Sequence, residues 1–242
     1  DGLLDLFMQE DWVLGDISAG NSRLMKNLGN LKFKDVTEEA GFPHGFRQGL
    51  YGLGGFVGDI NGDSWPDVYF AHSCRMFINN KNGTFTDIAP QKLRHTSHFS
   101  MGSDIGDINN DGLADVFFTA NQSANKLYLN KGNFVFEDIT KRAHLEDEEG
   151  WTTGVTMVDI NNDGWLDIYV CNSGDIKGDN KENELFINNH DLTFTERAKE
   201  YGIADKGFTT HAIFFDYDRD NDLDLYVLNN SYQSIGSFNL MK

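Results

Sequence analysis

The chain has 242 residues, of which 39% are hydrophobic and 13% aromatic, and its formal net charge is −18. This profile fits a packed globular protein and excludes a disordered chain. The negative field repels phosphate backbones and therefore excludes nucleic acid as an expected partner. No apolar run reaches the roughly 18 residues of a membrane helix, so we expect no transmembrane segment.

An acidic nine-residue pattern, D-x-[ND]-x-D-x-x-x-D, recurs along the chain. Its copies are loop 1 (DINGDSWPD, residues 59–67), loop 2 (DINNDGLAD, 107–115), loop 3 (DINNDGWLD, 159–167) and loop 4 (DYDRDNDLD, 216–224). Their first residues lie 48, 52 and 57 residues apart. The opening DGLLD matches the second half of a further copy, with Asp1 at position five and Asp5 at position nine. We therefore expect a protein that continues upstream.

Each acidic loop lies between two short apolar segments that predict β-strands, such as GGFVGD before loop 1 and DVYF after it. A second element follows, in which two apolar runs flank an Asn- or Gly-bearing turn; its copies begin at Ser22, Cys74, Asn125 and Asn183. That pattern is typical of a β-hairpin. Four strands in roughly 50 residues match one β-propeller blade. The predicted fold is all-β: residues 1–242 form one segment of a larger propeller, with about four to five four-stranded blades.

The acidic loops offer the hard oxygen ligands that calcium prefers. Side chains at positions one, three and five converge, and the position-seven carbonyl and position-nine carboxylate complete the shell. Position six needs a left-handed backbone, which Gly112 and Gly164 adopt freely, Asn221 tolerates and Ser64 does not favour. The predicted Ca²⁺ residues are Asp59, Asn61, Asp63, Trp65 and Asp67; Asp107, Asn109, Asp111, Leu113 and Asp115; Asp159, Asn161, Asp163, Trp165 and Asp167; Asp216, Asp218, Asp220, Asp222 and Asp224; and Asp1 and Asp5.

Other interpretations of the acidic loops fit less well. An EF-hand needs a Glu at position twelve and flanking helices, whereas that position holds Phe70, Phe118, Val170 and Val227. Magnesium rarely uses an all-protein cage, and zinc lacks its His and Cys ligands here. A single such loop could be an Asx-rich turn that binds nothing. Four copies with Asp at positions one, five and nine argue against that for the chain as a whole.

These paired motifs resemble the FG-GAP or VCBS repeat family of calcium-binding β-propellers, found in integrin α-subunits and many bacterial surface proteins. The pairing of FDYDRDNDLDLYV with NKLYLNKGNFVFEDIT is especially similar to the cartilage-acidic-protein-like branch. The resemblance implies calcium in the blade loops, a role in adhesion, scaffolding or ligand binding, and a secreted or cell-surface location, including association with a bacterial outer membrane.

Several further features carry weaker expectations. Cys74 and Cys171 fit no metal motif and are expected to be free and buried. His95 and His98 form a lone HxxH with no expected role. The rings of Trp65 and Trp165 are expected to pack between blades. The long segment 171–183 would lie on the face opposite the calcium loops, where a protein or glycan ligand could bind or where an insertion is simply tolerated.

The predicted function is a non-catalytic module that binds a protein or a glycan. The alternative is a polysaccharide lyase or hydrolase on the same calcium-stabilised scaffold. A lyase needs a base and a charge-neutralising group in one cleft, and no such cluster recurs in the sequence outside the acidic loops.

Overall fold

The computed structural model describes residues 2–8, 22–42, 55–70, 75–88, 100–120, 123–146, 151–173 and 182–230. These residues form five antiparallel sheets of two to four strands and no closed barrel. The one helix among them is a single turn, Ala198–Tyr201, which the sequence analysis did not predict. No helix in the described ranges is long and apolar enough to cross a membrane.

The strands follow the sequence in simple up-and-down order within each sheet. Sheet 1 holds β1 (Leu6–Met8), β2 (Arg23–Asn27) and β3 (Phe33–Asp35); sheet 2 holds β4 (Gly55–Gly58), β5 (Asp67–Phe70), β6 (Arg75–Asn79) and β7 (Phe85–Asp87); sheet 3 holds β8 (Ser100–Gly106), β9 (Asp115–Ala120), β10 (Lys126–Asn130) and β11 (Phe136–Asp138); sheet 4 holds β12 (Thr152–Val158), β13 (Asp167–Asn172), β14 (Glu184–Asn188) and β15 (Phe194–Glu196); and sheet 5 holds β16 (Thr209–Phe215) and β17 (Asp224–Asn229).

The predicted strands and hairpins are confirmed by this arrangement. Each acidic loop joins the first two strands of a sheet, so the flanks are strands and the EF-hand interpretation is excluded. The four second elements are the hairpins β2–β3, β6–β7, β10–β11 and β14–β15. In an up-and-down sheet the acidic loop and the turn of this hairpin lie at the same end of the strands. That end of each sheet is called the loop edge below.

The sheets pack face to face in chain order, and the core lies between them. One hydrophobic cluster fills each junction: sheets 1 and 2, 2 and 3, 3 and 4, and 4 and 5. The first strands also lie side by side, because β8 contacts β4 and β12, and β12 contacts β16. Burial of apolar side chains on both faces therefore holds each inner sheet between its two neighbours.

The two faces of a sheet bury different positions of the repeat. The residue two after the loop, Tyr69, Phe117 or Tyr169, packs under the following sheet, and each is at most 1% exposed. The residues on either side of it, such as Ile168 and Val170, pack on the preceding sheet. On sheet 5 the equivalent Tyr226 is 59% exposed, because the described residues place no sheet beyond it.

The first strands approach so closely that only glycine fits at one position. A Cβ on Gly102 of β8 would lie 2.3 Å from the Thr153 carbonyl oxygen of β12, and one on Gly154 of β12 would lie 2.6 Å from the Thr210 oxygen of β16. Both glycines stand five residues before an acidic loop, as Gly54 does in sequence. Beside this contact, the Thr119 hydroxyl donates to the Thr153 carbonyl at 2.5 Å. The first strands of neighbouring sheets therefore meet through backbone atoms at this position.

Candidate calcium loops

All four acidic loops share one backbone path, fixed by their own carboxylates. The first Asp accepts backbone N–H groups from later in the loop: in loop 2, Asp107 Oδ1 accepts from Asp111 at 3.0 Å and Oδ2 from Gly112 at 2.7 Å. In the other loops, Asp59, Asp159 and Asp216 accept the same two backbone N–H groups. Each loop is therefore curled around the carboxylate of its first Asp.

The left-handed backbone expected at position six is confirmed. Ser64, Gly112, Gly164 and Asn221 have φ of 69°, 85°, 85° and 72°. Position four, which the sequence analysis overlooked, is left-handed as well: Gly62, Asn110, Asn162 and Arg219 have φ between 58° and 74°. Two left-handed residues per loop give the tight curl. The recurrent Gly and Asn at position four were the available signal.

In loops 1 to 3 the position-nine Asp is buried and joins three parts of its repeat. Asp115 is 0% exposed; its Oδ2 accepts from the Ile108 N–H at 3.0 Å and its Oδ1 from the Asn130 N–H at 2.7 Å. Asp67 and Asp167 make the same pair of bonds. Asp5 accepts from the Asn27 N–H at 2.8 Å, which places it at position nine of its repeat as expected. Asp1 lies outside the described residues.

Burial changes the acidity of these carboxyl groups. It raises the pKa of Asp115 to about 7 and that of Asp167 to about 6, and it raises the pKa of Asp67. The backbone N–H donors oppose the rise, while the carboxylates at positions one and five add to it. A divalent cation in the loop would offset both burial and repulsion, so the donor set fits a hard cation.

Loop 4 brings its acids together most closely. One carboxylate oxygen from each of Asp216, Asp218 and Asp224 lies within 4.8 Å of the other two, and no other group of His, Cys, Asp and Glu in the described ranges meets that spacing. Asp222 adds a further acid at position seven, and its neighbour Asp220 raises the pKa of Asp222. Such a spacing suits several oxygens around one calcium ion.

Loops 1 and 3 carry a basic side chain beside position five. Lys81 Nζ lies 3.2 Å from Asp63 Oδ2, and His190 Nε2 lies 3.0 Å from Asp163 Oδ2. Although burial opposes the change, these contacts lower the pKa of Asp63 and of Asp163. Lys81 and His190 occupy the same place in their hairpin turns, two residues after Asn79 and Asn188. In sheet 3 that place holds Gly132, so loop 2 has no such neighbour there.

Four asparagines that the sequence analysis did not single out tie the loops to the hairpins. The residues Asn27, Asn79, Asn130 and Asn188, here called the latch asparagines, end the next-to-last strand of sheets 1 to 4. Each side-chain amide donates to the carbonyl of loop position eight in its own sheet, at 2.9 to 3.1 Å. Asn130 and Asn188 also donate at 2.9 Å to Ile60 and Ile108 of the preceding loop. The available signal was an Asn at the sixth residue of each of the four hairpin elements.

The other expected features have mixed outcomes. Cys171 is free and fully buried as expected, and burial raises its pKa to about 12. The Trp165 ring stacks on His190 of its own sheet at 4.7 Å, a contact that the expected packing between blades did not include. Cys74, His95, His98 and residues 174–181 lie outside the described residues.

Comparison with known families identifies the repeat. The family described as FG-GAP-like repeat matches residues 59–118 and residues 107–170. Each match begins at an acidic loop and ends in the second strand of the next sheet, so the match and the sheets have the same period. No curated protein shows a significant match to the chain.

Proposed function

Because this chain carries FG-GAP-like repeats, we propose that it is part of a β-propeller whose acidic loops bind calcium and whose exposed surfaces bind a protein or a glycan. The observation that carries the calcium proposal is the group of Asp216, Asp218 and Asp224. The stacking of sheets in chain order, with first strands adjacent, supports the propeller.

Calcium is a structural ion in this proposal. When bound, it supplies positive charge between carboxylates that otherwise repel one another, and the loop then holds the first two strands of its sheet in register. The side chains of positions one, three, five and nine and the carbonyl of position seven are the proposed ligands. If each site has a Kd of ~0.1 mM, then ~1 mM calcium stabilises the fold by about 1.4 kcal/mol per site.

Metal removal tests this proposal directly. The melting temperature should fall in excess chelator and recover when calcium, but not an equal concentration of magnesium, is restored. Terbium, which replaces calcium, should give luminescence sensitised by Trp65, Trp165 and Tyr217, which lie in loops 1, 3 and 4. An unchanged melting temperature together with absent terbium binding would end the calcium proposal.

The proposed setting is the cell surface or the extracellular space, where calcium at millimolar concentration can saturate sites with Kd of roughly 10⁻⁴ to 10⁻³ M. We also propose that the module binds its ligand without turnover. A glycan-array screen beside a turnover assay on acidic polysaccharides tests this point, because cleavage would favour the lyase or hydrolase instead. Fractionation of the native protein tests the location.

A further inference from the structure

A cavity of about 520 Å³ lies between sheets 1 and 2 at the loop edge. Its walls include Phe7 and Leu24 of sheet 1 and Val68, Phe85 and Trp65 of sheet 2. The volume falls within the range of ligand pockets in proteins. The site is separate from the ligand face expected around residues 171–183, because β13 ends and β14 begins at the opposite edge of sheet 4.

One position of the repeat explains why this junction is open. It is the residue four after each latch asparagine, and in sheets 1 to 4 it is Leu31, Gly83, Phe134 and Leu192. Phe134 has φ of 60° and packs into the cluster between sheets 2 and 3; Leu192 has φ of 67° and packs into the cluster between sheets 3 and 4. Each therefore seals its sheet against the preceding one.

Sheet 2 has Gly83 at this position, and Gly83 lines the cavity. Its φ of 85° is left-handed, as those of the sealing residues are, and its turn has the same length as theirs, but the sealing side chain is absent. A Cβ placed on Gly83 meets nothing within 4 Å. The cavity is thus the space that a phenylalanine or leucine fills at the next two junctions.

The rim adds an aromatic surface and charge. Trp65 is 44% exposed and lines the cavity. At the same loop position, Leu113 lies near the preceding loop, since a Cβ built on Gly62 would be 3.4 Å from it. Asp5 and Glu39 line the cavity with Lys26, and the whole chain is strongly acidic. A basic group beside the apolar one would gain from that field.

We propose that this cavity binds a phenylalanine or leucine side chain that a partner protein presents on a tight turn next to a basic residue. The chain's own turn at residues 130–135, NKGNFV, has this chemistry: Phe134 lies three residues after Lys131. The proposal goes beyond calcium binding; because Trp65 of loop 1 also lines the cavity, its test is run both with and without calcium.

The test uses a disulfide-cyclised peptide that reproduces residues 130–135, titrated into the intact chain and followed by NMR, once with calcium and once with chelator. Wild-type protein should bind with a Kd of ~1 mM or below. Gly83→Leu should fill the cavity, raise the melting temperature and weaken binding by about tenfold or more. The matched control is Gly202→Leu, at a left-handed glycine with open space around it, and it should bind as wild type does.

Two further arms make the result decisive. A peptide with alanine in place of Phe134 should not bind, and Val57→Trp, on an exposed residue that lines the cavity, should block binding independently of Gly83. The proposal fails if wild type shows no saturable binding, if Gly83→Leu and Val57→Trp bind as wild type does, or if the alanine peptide binds equally well. It also fails if Gly83→Leu weakens the binding of a neutral oligosaccharide but leaves the binding of the peptide unchanged.

Discussion

The side-chain amide of Asn130 donates a hydrogen bond of 2.9 Å to the carbonyl of Ile60, a residue 70 positions earlier in the chain. Asn130 belongs to sheet 3 and Ile60 to loop 1, so this bond crosses between repeats. The Asn130 N–H meanwhile donates to Asp115 of loop 2. One buried residue therefore connects two successive acidic loops, and that connection makes it a sensitive point of the fold.

Replacement of Asn130 by alanine should destabilise the protein by about 3 kcal/mol, because it leaves the Ile60 and Ala114 carbonyls and the Gly132 N–H without their partner. The control is Asn27→Ala, the same latch position on sheet 1, where the side chain accepts from the Gly29 N–H and donates to one exposed carbonyl, that of Leu4. Chemical denaturation measures both. Equal losses in the two variants would show that the bond between repeats contributes nothing.

Gly102→Ala should cost about 3 kcal/mol, because its methyl group cannot fit against the Thr153 oxygen unless β8 and β12 move apart. The adjacent Ser103→Ala is the control: its buried hydroxyl has no hydrogen-bond partner among the described residues, so its loss should be neutral or slightly stabilising. Thermal melting compares the two. If Gly102→Ala left the melting temperature unchanged, β8 and β12 would have to lie far enough apart to accept a methyl group at this position.

The four acidic loops should differ in their affinity for calcium. Loop 4 has a carboxylate at every odd position, whereas loop 1 has Asn at position three and has Lys81 against Asp63. Asp220→Asn should therefore remove more of the calcium-induced rise in melting temperature than Asp63→Asn. A larger loss from Asp63→Asn would reverse this order and leave calcium binding itself intact.

Removal of the lysine beside loop 1 should strengthen calcium binding there. Lys81→Gly should raise the affinity of loop 1 for calcium about threefold, which is the size expected for an exposed charge pair. Glycine is chosen because sheet 3 has Gly132 at this place. Terbium luminescence sensitised by Trp65 is the readout. Lys131→Gly is the control, because Lys131 pairs with Glu137, outside the acidic loops; if it has the same effect as Lys81→Gly, the cause is general charge and not the contact with Asp63.

The metal-free protein should become more stable as pH falls from 7.5 to 5. Asp115 and Asp167 have folded-state pKa values of about 7 and about 6, above the ordinary 3.8, so the folded state binds protons more tightly than the unfolded state in this range. Their contribution is complete below the ordinary value and is lost as pH rises through 6 to 7. Melting of protein freed of metal by dialysis measures it. A lower melting temperature at pH 5 than at pH 7.5 would contradict the raised pKa values. In saturating calcium, the rise in melting temperature on acidification should be smaller, because protons and calcium compete for the same carboxylates.

The sequence predicted the repeating strands well because two local signals coincide in each unit: the acidic loop and the alternating hairpin around an Asn or Gly turn. It also placed Asp5 at position nine from the match of DGLLD to the loop motif, and the bond from Asn27 agrees with that position. The contacts between repeats were not predictable in the same way. Asn130 and Gly102 recur as visibly as the aspartates, but their partners lie on another sheet, and only the packing of the sheets brings the partners within reach.

The Gly83 cavity was missed for a related reason. A glycine in a hairpin turn is an ordinary residue when one repeat is considered by itself. It becomes informative only when Phe134 and Leu192 are seen to seal the equivalent junctions. The side chains beside position five, Lys81 and His190, likewise vary among repeats, and their effect on the loops depends on the curl that brings Asp63 and Asp163 to them.

The two faces of each sheet bury different positions, and this difference gives the array a direction. Tyr169 faces forward along the chain and Ile168 backward, so successive sheets stack in one direction and none can be inserted reversed. Duplication or deletion of a whole unit would keep this direction and pair a forward face with a backward face at the new junction. A break within a unit would instead leave a sheet without some of its strands, so its neighbours would lose part of the surface that buries their apolar side chains. Gene rearrangement can therefore change the number of repeats in such a chain more readily than it can change the sequence inside one.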